Sequence, residues 1–385
     1  MGAEERARVR VVVLGATGAV GRGILSLLHE RAFESTRVVA LASARSAGDH
    51  VFMGDRALEV RSCEGFLFEE NDLVFSAVDE QVARRVLPDA LERGARIIDK
   101  SALYRQQAPL VVPEVNGELL QRADTQIVCS PNCVVIPLVM ALAPLHKALG
   151  VMRVVVSTYQ SVSGAGKQGM DTLWEEMGTV MRVHASQNSK SRQPTDSEGV
   201  NQNETQAKMT HHKGSRSEVE NLGEQNLGIN SHKETSPFGA QIACNVLPRI
   251  GNVDDRGVSG EEDKIQQETR TILGRQIEVV ATSVRVPTLV GHGLSVVVDV
   301  SRPTSLKEAR TLLEKAPGCV MPENPFSVME VAGEDKVFLS RLRVPSPSTV
   351  AFWAAADNLR KGAALNAVQI AEALYGSKAV DKKIW

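Results

Sequence analysis

The chain reads as an α/β protein: a doubly wound, Rossmann-type parallel sheet followed by a second α+β domain with a mixed sheet. Three observations carry that expectation. Near the start, an apolar strand runs straight into a glycine turn and an amphipathic helix, over residues 9–31. Short apolar strands then alternate with helical stretches as far as Cys129, the signature of a parallel sheet covered on both faces. Beyond residue 150 the strands lengthen and are no longer each followed by a helix, as in an antiparallel or mixed sheet.

Taken in order, residues 9–14 (VRVVVL) form a strand apolar enough to be buried on both faces. The turn that follows, Gly15-Ala16-Thr17-Gly18-Ala19-Val20-Gly21, opens the helical stretch 22–31. Glycines at this spacing let the backbone approach a pyrophosphate at a helix N-terminus, so Gly15, Thr17, Gly18, Ala19 and Val20 are expected to hold a dinucleotide. The next strand, residues 37–41, ends in Ala42-Ser43-Ala44-Arg45-Ser46 rather than in an acidic residue. A carboxylate there would hold a ribose 2′-hydroxyl, whereas Arg45 with Ser43 and Ser46 suits a 2′-phosphate, favouring NADP(H) over NAD. Further strands are expected at 73–78, 96–99 and 126–129, with a helix over 80–93. In the second domain, residues 151–159, 276–287, 293–301 and 337–344 read as strands. Residues 351–375 read as a long helix or a broken pair, with Phe352, Leu359, Ala363, Ala367, Ile370 and Leu374 on one face, returning to the first domain. The boundaries follow: 1–132 with 356–385 as the nucleotide-binding domain, and 133–355 as the catalytic and dimerisation domain. Within the latter, residues 184–236 are rich in Ser, Asn, Gln, Glu, Lys and His and cannot bury much surface, so a disordered insertion is expected. His211, His212 and His232 fall there without metal-site spacing, and no metal centre is expected.

With 385 residues there is ample material for two domains. A net charge of −2 gives no electrostatic footprint for nucleic acid or an anionic membrane. Five cysteines form no C-x-x-C pair and fit a reducing compartment. The first ten residues have no apolar run, Arg6 breaks the myristoylation pattern, and the apolar run 133–145 is too short to span a bilayer. A cytoplasmic location is therefore expected, which makes the glycosylation sequon at Asn203 accidental.

The stretch Ser130-Pro131-Asn132-Cys133 lies between the strand at 126–129 and a long apolar segment, 134–149. Cys133 is expected in the first turn of that helix, where unpaired N–H groups and the dipole stabilise an anion and can lower a thiol pKa from about 8.5 to make a nucleophile.

Several motifs, found together in this order, carry a resemblance to the aspartate-β-semialdehyde dehydrogenase family over nearly the whole chain. They are the glycine turn at 15–21, Pro109-Leu110-Val111-Val112-Pro113-Glu114-Val115-Asn116, Ser130-Pro131-Asn132-Cys133 and Tyr159-Gln160-Ser161-Val162-Ser163-Gly164-Ala165-Gly166. Arg285-Val286-Pro287, Gly291-His292-Gly293 and Asp357-Asn358-Leu359-Arg360-Lys361-Gly362-Ala363-Ala364 complete the set.

The resemblance implies an NADPH-dependent reductive dephosphorylation of L-aspartyl 4-phosphate to L-aspartate 4-semialdehyde, on the route to lysine, methionine and threonine. It implies that Cys133 forms a thioester, that His292 is the general acid/base and that Gln160 positions the substrate beside Asn132. Arg285 is implied for the α-carboxylate, Glu261 for the α-ammonium, and Lys264 with Arg105 for phosphate. Ser163, Gly164 and Asn358 are implied on the cofactor side, and a homodimer as the assembly. The segment Asp99-Lys100-Ser101-Ala102-Leu103-Tyr104-Arg105 departs from the family, with Lys100 and Tyr104 in place of the usual Asn and Phe and with Arg105 kept. An N-acetyl-γ-glutamyl-phosphate reductase or a CoA-thioester reductase would share the cysteine and histidine, but Glu261 with Arg285 suits a free amino acid. A catalytically silent nucleotide-binding paralogue would not need Cys133, Gln160 and His292 together.

Overall fold

In the computed structural model, residues 9–33, 37–122, 125–190 and 236–376 are described, without the side chains of 122 and 186–190. Strand β1 (Arg10–Leu14) leads through the glycine turn into α1 (Ala19–Glu30), and β2 (Arg37–Ala42) follows. A hairpin of β3 (His50–Met53) and β4 (Arg56–Ser62), not foreseen from the sequence, precedes β5 (Leu73–Ser76), α2 (Glu80–Glu92) and β6 (Arg96–Asp99). Two short helices, α3 (Pro113–Asn116) and α4 (Leu119–Arg122), lead to β7 (Ile127–Cys129). These strands form one sheet in the order β3-β4-β2-β1-β5-β6-β7, parallel throughout except for the β3–β4 pair. The alternation of side chains along β1 explains the double winding. Val11 and Val13 pack in one cluster with Ile24, Leu25, Leu27 and Leu28 of α1. Val12 and Leu14 pack on the other face with Ala83, Leu87 and Ala90 of α2.

The chain then crosses to the second layer. Helix α5 (Val135–Leu149) is buried almost all round and lies in the cluster of Val154, Val156, Leu294, Val296 and Phe352 from the second sheet. Each such side chain contributes about 1.5–3 kcal/mol of burial, which anchors the segment just after Cys133. The second sheet contains β8 (Val151–Gln160), β9 (Glu278–Arg285), β10 (His292–Val300), β11 (Cys319–Val320), β12 (Val337–Ser346) and β13 (Thr349–Ala356), ordered β11-β12-β13-β10-β8-β9. It is mixed, with β8–β9 and β11–β12 parallel and the other pairs antiparallel. Helices α6 (Gly166–Lys190), α7 (Gly260–Leu273) and α8 (Leu306–Glu314) accompany it.

Two expectations change here. Residues 351–375 are not a long helix: their first part is β13, hydrogen-bonded between β10 and β12. A π-helical turn, Arg360–Ala364, then leads into α9 (Leu365–Tyr375), which returns to the cluster of α1 and β1. Of the expected polar insertion at 184–236, the first residues continue α6 to Lys190, and 191–235, with His211, His212, His232 and Asn203, lie outside the described residues.

Candidate active site

Register places the site. Across the second sheet, Arg285 of β9 pairs with Gln160 of β8, Gln160 with His292 of β10, and His292 with Ala356 of β13. One transverse row thus carries three of the expected polar side chains, each buried. The first sheet meets this row through the segment after β7. Cys133 sits in a turn, half-buried, and α5 begins two residues later with Val134 as its N-cap, so Cys133 precedes the helix rather than occupying its first turn. The thiol pKa moves opposite to expectation, pushed up to about 11. Burial is the main cause and the Glu261 charge adds to it, outweighing Lys100, Arg285 and Arg105, which pull it down.

Helix α7 supplies the acidic wall. Ser259 and Glu262 form a capping box, and Glu262 Oε1 also accepts from Ser283 N at 2.8 Å, tying the helix to β9. That fixes the rotation of α7, so Glu261, Ile265 and Glu268 face inward at helical spacing. Glu261 Oε1 accepts from Asn132 Nδ2 at 2.9 Å and from Gln160 Nε2 at 3.2 Å. Asn132 Oδ1 accepts from Val134 N at 2.8 Å, which shapes the turn at Cys133. Glu268, not singled out from the sequence, accepts from Arg105 Nη1 at 2.7 Å and from Asn132 N at 2.7 Å. Its spacing of seven from Glu261, with Ile265 between, is the signal that could have found it. Lys264 lies one turn before Glu268 on the same helix; it is exposed and has no hydrogen bond or ion pair among the described residues. Lys100 lies within electrostatic reach of Arg105 and Cys133. Arg285 donates from Nη1 to Ser161 O at 2.7 Å and stacks over Phe238 at 5.7 Å. A cavity of about 240 Å³ opens beside it, lined by Phe238, Leu247 and Arg249.

His292 is fully buried. Its Nδ1 accepts from Ser161 N at 3.1 Å, which places the proton of the neutral ring on Nε2. Nε2 itself has no hydrogen-bond partner. Burial, reinforced by the Arg285 charge, pushes the imidazole down to about 3, so the ring is neutral at pH 7. In this state it offers an N–H donor rather than the titrating acid/base expected from an ordinary histidine. Asn358 ties the loops around it: its Oδ1 accepts from Gly291 N at 2.8 Å and from Ser161 Oγ at 3.2 Å, and its Nδ2 donates to Ser163 Oγ at 3.0 Å. The π-helical turn closes the other side, with Gly362 against Cys133.

The glycine turn is a cradle that only hydrogen side chains leave open. Gly15 has φ +86°, and a Cβ there would meet Ala77 O at 2.6 Å. A Cβ on Gly21 would lie 2.1 Å from Gly15 O, so α1 can pack on the turn only with glycine at that position. Gly18 caps α1 without a side-chain bond, leaving Ala19, Val20 and their neighbours' N–H groups directed at an anion. This chemistry fits the pyrophosphate of a nicotinamide dinucleotide. Ser43, Arg45 and Ser46 follow β2 at a short 3₁₀ turn. Arg45 lines a cavity of about 520 Å³ with Lys167, Gln168 and Thr172. No group of acidic, histidine or cysteine side chains that could hold a metal occurs among the described residues.

Two family models match the chain: the NAD binding domain of semialdehyde dehydrogenases over residues 10–123, and their dimerisation domain over residues 142–361. Aspartate-semialdehyde dehydrogenase of Rickettsia conorii is 38% identical over 380 residues, covering 96% of this chain and 98% of that protein. The Bacillus subtilis enzyme of the same name is 33% identical over 377 residues, covering 95% and 97%. Among solved structures, aspartate semialdehyde dehydrogenase II of Vibrio cholerae, complexed with ASA, superposes with a TM-score of 0.77 at 32% identity, covering 95% of this chain and 98% of that one.

Proposed function

Because the chain belongs to the aspartate-semialdehyde dehydrogenase family, we propose that it interconverts L-aspartyl 4-phosphate and L-aspartate 4-semialdehyde through an acyl-enzyme on Cys133, with NADP(H). The observation that carries this reading is the convergence of Cys133, Gln160, Arg285 and His292 where the row of the second sheet meets the turn after β7. Cys133 Sγ bonds to the acyl carbon, its thiol proton passing to the phosphate that leaves with the C–O bonding pair, and a thioester results. A nicotinamide dinucleotide held by the glycine turn would supply hydride to the thioester carbon. The hemithioacetal on Cys133 then collapses, releasing aldehyde and restoring the sulfur.

The other side chains prepare these steps. His292 Nε2–H donates to the oxygen that turns anionic as the carbonyl carbon becomes tetrahedral, a role suited to a neutral imidazole in a dry site. Gln160 and Asn132, both hydrogen-bonded to Glu261, orient the acyl group. Arg285 offers a planar fork to the α-carboxylate and Glu261 a carboxylate to the α-ammonium, which supports a free amino acid over an N-acylated one. Arg105, held by Glu268, serves phosphate. On the cofactor side, the turn from Gly15 to Val20 takes the pyrophosphate, and Ser163 and Gly164 flank the nicotinamide. Asn358 holds that loop in place.

The finer assignments belong to the same reading. Exposed Arg45, beside Ser43 and Ser46, supports a 2′-phosphate and thus NADP(H). The match to a dimerisation domain and the exposed Tyr159 beside Trp353, ring centroids 5.5 Å apart on the second sheet, support a homodimer. The return of α9 to the first sheet supports 1–132 with 356–385 as the nucleotide domain and 133–355 as the catalytic one. No helix among the described residues is long and apolar enough to cross a membrane, in keeping with a cytoplasmic role in amino-acid biosynthesis. The test is phosphate-dependent NADPH formation from aspartate semialdehyde by wild type and Cys133→Ala. Turnover confined to wild type is expected, and equal behaviour of the two would overturn the reading.

A further inference from the structure

We infer that Lys100, paired with Arg105, is the cation that holds the phosphoryl group beside Cys133 and favours the thiolate form of that cysteine. The inference rests on the acyl-enzyme reading above and names a residue for its phosphate step. Three observations bring Lys100 into the site. It leaves the carboxyl end of β6, next to β7 whose end leads to Cys133: Asp99 pairs with Cys129, and Ser130 N donates to Asp99 O at 2.8 Å. In an open parallel sheet this is the edge at which ligands bind. Arg105 folds back so that Nη2 donates to Lys100 O at 2.8 Å and Nη1 to Glu268, while its buried Nε has no partner. The Lys100 amine likewise has no hydrogen bond or ion pair among the described residues. An unpaired ammonium and an unpaired guanidinium N–H, on two residues within electrostatic reach of the nucleophile, are donors suited to an anion with several oxygens.

Electrostatics agree with the placement. Burial and the Arg105 charge draw Lys100 down to about 8, while Cys133, Asp99 and Glu268 oppose that. Among the cations facing Cys133, Lys100 does most to lower the thiol, ahead of Arg285 and Arg105.

The experiment compares wild type, Lys100→Met and Lys100→Arg in the phosphate-dependent oxidation of aspartate semialdehyde, alongside iodoacetamide alkylation of Cys133 against pH. Lys100→Met should raise the phosphate KM about tenfold or more, as expected for loss of one charge-assisted contact. It should leave the cofactor KM unchanged and move the alkylation midpoint to higher pH; Lys100→Arg should restore most of the phosphate affinity. If Lys100→Met does not fold, Lys100→Gln serves, with the same losses expected. A phosphate KM and an alkylation profile equal to wild type in the neutral variant would overturn the inference while leaving the acyl-enzyme reading intact. Failure of the parent reading shows separately, as wild type that forms no NADPH.

Discussion

Replacing Gly362 by alanine tests how tightly the π-helical turn positions the nucleophile. The turn is held by Asp357, whose Oδ1 accepts from Leu359 N at 2.8 Å and Arg360 N at 2.9 Å, and by Gly362 N donating to Asp357 O at 2.9 Å. A Cβ on Gly362 would stand 2.9 Å from the Cys133 carbonyl oxygen and 3.2 Å from its Cβ. Ordinary contacts lie near 3.5–4.0 Å, so the turn or Cys133 must give by roughly half an ångström. Such overpacking costs about 1–3 kcal/mol of stability. A nucleophile misplaced by a full ångström can lose about a hundredfold in rate, so half that displacement predicts a fall of about tenfold in kcat. KM for the cofactor, bound at the glycine turn, should stay as it was. Steady-state kinetics with a thermal melt reads both effects. A Gly362→Ala enzyme with wild-type kcat and melting temperature would refute the claim that this turn sets the position of Cys133.

Three further outcomes follow from the geometry. His292→Ala should slow turnover about a hundredfold or more. In wild type the ring held near 3 should leave no limb near pH 6.5 in kcat/KM of the free enzyme, and a limb there that disappears in His292→Gln would contradict the neutral-donor role. Lys361, fully buried, donates to Glu114 and to Gln369 Oε1 at 2.6 Å. Lys361→Met should therefore cost about 3–5 kcal/mol in denaturant unfolding by stranding the carboxylate, with Glu114→Gln recovering part of the loss. Arg45→Ala should reduce selectivity for NADP over NAD, and unchanged selectivity in steady-state kinetics would remove Arg45 from the 2′-phosphate site.

Much of the fold was readable because the physics is local. Residues 9–31 announce themselves through an apolar strand and a turn whose glycines, Gly15, Gly18 and Gly21, each sit where a Cβ would press on backbone. The polar trio Gln160, Arg285 and His292 stood out by resemblance, yet their side-by-side row appears only when strand register is known. Strand β13 was misread because alanine favours helices, and a strand flanked by two others and buried on both faces shows no period-two alternation to correct the impression. Glu268 went unremarked although it shares a helix face with Glu261. Spacing marks that shared face, but the rotation that turns it inward is set by the Ser259–Glu262 box and its bond to Ser283, a tertiary contact. The direction of the Cys133 shift was missed since desolvation depends on neighbours from several elements, and it outweighs a helix terminus that begins two residues too late.

The most direct test of the account is peptide mass spectrometry of the enzyme mixed with aspartate 4-semialdehyde and NADP, with phosphate left out. Without phosphate to take the acyl group, the account predicts about one equivalent of NADPH and an aspartyl adduct on the peptide containing Cys133, absent from Cys133→Ala. NADPH formed with that peptide unmodified would contradict it.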